Sequence, residues 1–262
     1  MKVERKGKYV CKTVLNHDAG YMVLEVGDMV RTSWKRPGQF VHVKCGDGRL
    51  LRRPISVCSC MEDEPEDTVA IVFERRGTGT DWLAQRECGE YLDVLGFLGN
   101  GFTMGPEGRY LLVGGGIGVP PLLGCAKAAP NRCTAVLGFR SADRAMLLDD
   151  FRAVCPEVVV MSDDGTLGEH GFVDAGVRRL LEAGERFDGV LACGPKPMLR
   201  SVAKAAAEFG VPCQVSMEER MACGVGACLG CACKTKDKNG DPQISRVCLN
   251  GPVFDAKEVD WT

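Results

Sequence analysis

The chain has 262 residues, 45% of them hydrophobic, which is enough to bury a substantial core as one large domain or two to three small ones. Its 33 basic and 35 acidic residues nearly cancel, leaving a formal net charge of -2 with both signs spread along the chain, so a phosphate-backbone binder is disfavoured and no nucleic-acid partner is expected. Fifteen cysteines would suit a disulfide scaffold in a small secreted protein; in a chain this long they point instead to buried thiols and to metal or cluster binding.

The N-terminal "MKVERKGKYV" carries charges and no apolar signal core. The most apolar stretch, "LLVGGGIGVPPLLGCA", is too short and too broken by glycine and proline to span a bilayer. A cytoplasmic protein without membrane contact is the expectation.

From residue 7 to 100 the chain gives short β segments: "KYVCKTVLN", "GYMVLEVG", "GQFVHVKC", "RPISVCSC", "TVAIVFERR" and "EYLDVLGFLG". Their even spacing and Gly, Pro and Asp punctuation predict a small antiparallel barrel. One helix, "TDWLAQR", is predicted among them, with Thr80 as its N-cap. Two polar, glycine-rich interruptions stand out. In "RRPIS" (52–56), Arg53 offers a forked pair of donors to a phosphate and Ser56 adds a hydroxyl. In "GTGT" (77–80), Gly79 and Thr80 open the predicted helix at a second anion-favouring position. A surface arginine and a capped turn would explain the same residues.

Near residue 109 the rhythm changes. The apolar runs "RYLLVGG", "CTAVLGF", "EVVVMSD", "DGVLACG" and "PCQVSM" alternate with helical patterns at 119–129, 141–153, 173–184 and 197–210, which predicts βαβ units around a parallel sheet. Gly114, Gly115, Gly116 and Gly118 lie between the first strand and first helix, where glycine allows a tight turn and lets N–H groups approach a pyrophosphate. Pro120 and Pro121 fit the first helical turn, where a missing N–H costs little. The string is not a full GxGxxG, and a turn that needs glycine only for packing fits it too. Cys193, Gly194 and Pro195 end the fourth parallel strand, on the side of the sheet where such folds bind ligands. The Asp163–Asp164 pair could accept from an adenosine ribose, whereas Arg140 could pair with a 2′-phosphate and argue the other way.

After Met217 both patterns stop and a Gly/Cys-rich tail follows. "CGVGACLGC" (223–231) and Cys248 give C-x4-C-x2-C with a distant fourth thiol, the plant-type spacing for a [2Fe–2S] cluster. Gly224 and Gly226 let the loop wrap such a group with its N–H groups. Zinc favours paired short spacings, and Cys248 stands alone. The expected ligands are Cys223, Cys228, Cys231 and Cys248. Cys233 is expected to be free, its side chain turned away from its neighbour's in an extended loop. His17, His42 and His170 are scattered without partner motifs and read as structural.

Taken in order, "RRPIS", "GTGT", "GGGIGVPPL", "SDDGTLGEHGFV", "ACGPKPML", "EERMACGVGACLGC" and "VCLNGPVF" give the chain a resemblance, over its whole length, to the electron-transfer subunit of class 1B dihydroorotate dehydrogenase, within the ferredoxin–NADP reductase superfamily. The resemblance implies an N-terminal FAD-binding β-barrel (1–103), an NAD-binding α/β domain (104–216) and a [2Fe–2S] tail (217–262). It implies that Arg53, Pro54, Ile55 and Ser56 hold FAD, with Val72, Phe73 and Glu74 along the flavin and Gly79 and Thr80 near its pyrophosphate. Glu74 departs from the basic residue that many relatives carry in the stretch before "GTGT". The glycine turn (Gly114, Gly115, Gly116, Gly118) and Cys193, Gly194 and Pro195 would hold NAD, and the four cysteines would be the cluster ligands. The implied activity is a relay in which an FMN-containing catalytic subunit oxidises dihydroorotate, and electrons pass singly through the cluster to FAD and then as hydride to NAD+. A heterotetramer of two catalytic and two electron-transfer subunits is implied, and no side chain of this chain need act as general acid or base. Two alternatives stay open: the flavin subunit of an NADPH-dependent ferredoxin or sulfide oxidoreductase, whose members tend to place aspartate where Cys223 stands, and a non-enzymatic, zinc-stabilised nucleotide-binding module.

Overall fold

The computed structural model describes residues 3–62 and 66–262. Six strands close the N-terminal barrel: β1 (Val3–Val14), β2 (Ala19–Glu25), β3 (Phe40–Val43), β4 (Arg53–Met61), β5 (Thr68–Glu74) and β6 (Tyr91–Leu98), in spatial order β1-β2-β5-β4-β3-β6. Every pair is antiparallel, as the short, turn-separated segments predict. Alternation along the strands sends one face inward, where Met22, Leu24, Val41, Val43, Val57, Ile71, Phe73 and Val94 form the barrel core. Closure removes the exposed edges that an open sheet of this length would leave.

Two short helices punctuate the barrel: α1 (Met29–Ser33), which the sequence reading missed, and α2 (Thr78–Ala84). α1 is fixed by Asp67. This fully buried carboxylate accepts from the Arg31 backbone N–H at 3.0 Å and from the Arg31 guanidinium at 2.9 and 2.6 Å. α2 begins two residues earlier than expected, so Thr80 lies inside the first turn and is not the N-cap. Its hydroxyl accepts from the Arg76 N–H at 2.9 Å and donates to the Gly77 carbonyl at 3.1 Å.

The second half alternates as predicted: β7 (Tyr110–Gly115), α3 (Val119–Ala128), β8 (Cys133–Phe139), α4 (Leu148–Val154), β9 (Glu157–Ser162), β10 (Glu169–His170), α5 (Val173–Glu182), β11 (Gly189–Cys193), α6 (Lys196–Glu208) and β12 (Cys213–Ser216). The helix expected over 141–153 is broken, because Ala142–Arg144 forms a 3₁₀ turn and Leu147 adopts φ 59° to place its side chain in the core. The strands order as β10-β9-β8-β7-β11-β12 with parallel pairing. α3 and α4 cover one face of this sheet, and α5 and α6 the other. α5 shows why: Val173, Val177, Leu180 and Leu181 recur at helical spacing and bury together, each contributing roughly 1.5–3 kcal/mol.

The cysteine-rich tail is not a separate appendage. It forms a hairpin, β13 (Ala232–Lys236) with β14 (Pro242–Arg246), and then β15 (Val253–Asp255) adds antiparallel to β12 at the edge of the large sheet. Cys231, Cys233, Val247, Cys248, Phe254 and Val259 join the core under α5 and α6. The same segment grips the barrel, since the Asn100 N–H donates to the Gly251 carbonyl at 2.6 Å and the Asn100 amide donates to the Asn250 carbonyl at 2.9 Å. Thr103 and Gln214 exchange a further pair of bonds, both 2.8 Å, between barrel and sheet. No helix among the described residues is long and apolar enough to cross a membrane.

Candidate functional site

Three clusters form where barrel, sheet and tail meet. In the first, two sequence motifs 21 residues apart come together on the barrel wall. Arg53 opens β4, and its guanidinium lies on the first turn of α2, where a Cβ on buried Gly79 would come within 2.5 Å of Arg53 Nε. The missing side chain lets the arginine fork and the free N–H groups of α2 face the same space. Pro54 and Ser56 are on the outer face of the wall, Pro54 exposed and Ser56 half-buried, whereas Ile55 packs inside the barrel. Val72 faces the sheet domain with α3, but Phe73 turns into the barrel core against Gly20, so only its backbone faces outward. Glu74 is tied to Arg76 at 2.5 Å.

In the second cluster, Gly114 of β7 pairs in register with Cys193 of β11. A Cβ on Gly118 would overlap the Cys193 carbonyl, and one on Gly194 would come within 2.5 Å of Met198 Cε. The glycine turn (Gly116–Gly118) and the Cys193–Gly194–Pro195 loop therefore form one backbone-lined floor at the carboxyl ends of adjacent central strands, between the N-termini of α3 and α6. Burial pushes the Cys193 thiol up to about 12, so its sulfur stays protonated at neutral pH. Past the end of β9, two strands from β7, Asp164 accepts from the Thr166 N–H and hydroxyl at 3.0 and 2.7 Å, which holds its carboxyl below the usual range. Arg140 is exposed.

The third cluster is the cysteine loop. Gly224 and Gly226 adopt φ 66° and 86°, and Leu229 adopts φ 59°, winding the chain so that backbone N–H groups turn toward sulfur. Cys223 Sγ accepts from Val225 and Ala227 at 3.4 and 3.3 Å, Cys228 Sγ from Gly230 at 3.4 Å, and Cys231 Sγ from Cys248 N at 3.4 Å. The thiols fall into two pairs: Cys228 bonds Cys223, and Cys231 lies 3.2 Å from Cys248. Burial works against ionisation at Cys223, yet the N–H groups of Val225, Cys228 and Ala227 and the Cys228 thiol bring it down to about 6. Burial and the neighbouring Cys231 push Cys248 up to about 12. Cys233 is buried on the same side as Cys231, contrary to the sequence expectation, because residues two apart on an extended chain share a face. Burial, followed by Glu219, raises its thiol to about 11.

His42, read from sequence as an unremarked structural residue, lies against this loop. β3 sends Val41 and Val43 into the barrel and Phe40 and His42 out of it. The ring is fully buried, and neither of its nitrogens has a partner among the described residues. Burial, assisted by the Arg52 guanidinium, brings it down to about 4, so the imidazole is neutral at neutral pH.

A family profile described as the iron-sulfur cluster binding domain of dihydroorotate dehydrogenase B matches residues 218–260. The electron transfer subunit of dihydroorotate dehydrogenase B (NAD(+)) from Bacillus caldolyticus is 44% identical over 234 residues, covering 86% of this chain and 87% of that protein. The subunit of the same name from Caldanaerobacter subterraneus subsp. tengcongensis is 41% identical over 231 residues, covering 86% and 89%. Among solved structures, the NADH-dependent reduced ferredoxin-NADP oxidoreductase superposes with a TM-score of 0.85 at 32% identity over 97% of this chain and 90% of that one. The ferredoxin reductase in carbazole 1,9a-dioxygenase shares the fold at 23% identity and TM-score 0.68, over 80% and 67%. With identity of this extent along nearly the full length of its relatives, and with their iron–sulfur segment folded into the junction of barrel and sheet, the chain belongs to the electron transfer subunits of NAD-dependent dihydroorotate dehydrogenase B.

Proposed function

We propose that this chain carries electrons from an FMN-containing dihydroorotate dehydrogenase subunit to NAD+ in pyrimidine biosynthesis, using FAD on the barrel and a [2Fe–2S] cluster in the cysteine loop. The observation that carries this reading is the two-by-two gathering of Cys223 with Cys228 and Cys231 with Cys248. Two irons, each needing two thiolates, match two thiol pairs. The N–H groups aimed at all four sulfurs suit anionic thiolates.

When bound, the flavin and the cluster supply the interconversion of a hydride with single electrons. The chain's own residues hold and orient. Arg53 and the first turn of α2 at Gly79 and Thr80 take the flavin's phosphates, and Pro54, Ile55, Ser56 and the Val72–Glu74 backbone flank its ring. Gly114, Gly115, Gly116 and Gly118, with Cys193, Gly194 and Pro195, take NAD, the glycines admitting its pyrophosphate to backbone N–H groups. Cys228 and Leu229 on the cysteine loop and Leu249 beside Cys248 are exposed, an apolar rim suited to a catalytic subunit. A heterotetramer of two subunits of each kind would present two such contacts.

Co-purification with the FMN-containing partner should give a red-brown complex that reduces NAD+ with dihydroorotate. Cys228→Ser should abolish NAD+ reduction while the partner's dye-linked oxidation persists; undiminished NAD+ turnover would overturn the proposal. The similarity to the ferredoxin-NADP oxidoreductase favours a second reading as a ferredoxin-linked flavin subunit. Reduction of NADP+ by reduced ferredoxin, with no response to dihydroorotate, would select it.

A further inference from the structure

His42 is a polar side chain of the barrel wall that meets the cysteine loop at Gly224. Its ring is 0% exposed, and a neutral imidazole always carries one N–H. Leaving that donor unpaired in the interior costs about 1–3 kcal/mol, so a buried ring with two unpartnered nitrogens calls for an acceptor that the polypeptide does not supply. Two neighbours restrict where that acceptor can lie. Phe40 holds the ring edge-on at 5.7 Å between centroids, and Gly224 lies so close that a Cβ there would come within 2.6 Å of His42 Cε1 and 2.7 Å of Nδ1. The left-handed φ of Gly224 and its missing side chain thus serve a specific close approach between barrel and loop.

Gly224 is bonded to Cys223, whose sulfur already accepts two backbone N–H groups. The sulfurs of this loop, and of the group it would hold, are therefore the candidate acceptors on the side from which Gly224 meets the imidazole. We infer that His42 donates a hydrogen bond to the sulfur shell of the iron–sulfur centre and tunes that centre from the barrel side. It is a positioning residue, joining the wall that carries "RRPIS", where Pro54 lies directly opposite His42 in register, to the loop that carries the thiols. A donor at sulfur stabilises the extra negative charge of the reduced centre and raises its potential. The inference rests on the cysteine loop holding the cluster as proposed above.

The test uses this chain, labelled with ¹⁵N-histidine, combined with its unlabelled catalytic partner. Pulsed electron paramagnetic resonance on the reduced wild-type complex should show a weak ¹⁵N coupling to the cluster. The chain has only three histidines, and His17 and His170 are exposed, so the signal belongs to His42. In a redox titration, His42→Leu should lower the reduced-to-oxidised ratio of the cluster about tenfold at fixed potential, which is about 59 mV for one electron. His42→Gln, which keeps an N–H donor, should recover most of that shift, and the flavin potential should not move. Absence of nitrogen coupling, or a shift confined to the flavin, overturns the inference. Should His42→Leu fail to fold, the wild-type coupling decides alone. Wild-type complex without iron or acid-labile sulfide overturns the cluster reading and this inference together, whereas a cluster without coupling overturns only this one.

Discussion

At the scale of single residues, missing side chains matter as much as present ones. The string "GGGIG" announces a tight turn, but which glycine is indispensable depends on what lies across from it. Gly118 faces the Cys193 backbone, which cannot yield, while Gly116 faces open space and is required instead by its left-handed φ of 53°. Gly118→Ala should destabilise the protein by about 1–3 kcal/mol through overpacking and raise the KM for NADH with flavin content intact; thermal unfolding and dye-linked NADH oxidation check it. Cys233 marks the limit of spacing arguments. Its buried thiol belongs to the core with Cys231, so a count of cysteines does not separate ligand from filler. Cys233→Ala should keep iron and sulfide at wild-type levels and cost about 1 kcal/mol of stability, measurable by metal analysis and denaturant titration. His42 was invisible from sequence for a related reason. Alternation on β3 shows that positions 40 and 42 share a face, not what that face meets.

At the scale of elements, periodicity found every long segment and several short ones, but missed α1 and the strands of the tail. The barrel strands and the principal βα units follow from alternation and helical spacing. α1 is five residues long, too short to show a period, and is held by a carboxylate from β5's entry rather than by its own sequence. Burial opposes the charge on Asp67, but the Arg31 guanidinium and the N–H groups of Arg31 and Val30 outweigh it and hold the carboxyl below 3.8. The unfolded carboxyl binds its proton near 3.8 and the folded one only at lower pH. The stabilisation is therefore complete above that value and drains away as pH falls through the folded pKa. Asp67→Asn should cost about 2 kcal/mol near neutrality and flatten the acid loss of stability below pH 3.8, as denaturant titrations at stepped pH would show.

At the scale of the whole molecule, the C-terminal segment is shared property. β15 completes the sheet, Asn100 of the barrel binds the backbone before it, and the cysteine loop is carried between them. Anaerobic removal of iron should therefore loosen the loop without undocking the tail. Amides at 223–231 should exchange faster, while Val253–Asp255 should stay protected by their ladder to β12; hydrogen exchange read by mass spectrometry distinguishes this from collapse of the entire segment.

The sequence by itself determined the barrel-then-sheet order, the glycine turns and the fourfold thiol spacing, because these depend on periods and separations along one chain. Only the tertiary structure decided that Arg53 meets Gly79, that Gly118 meets Cys193, that the tail closes the sheet and that His42 meets Gly224. Each of those meetings joins segments distant in sequence. Which of them come into contact is set by the packing of whole layers, where every buried surface must find its complement at once.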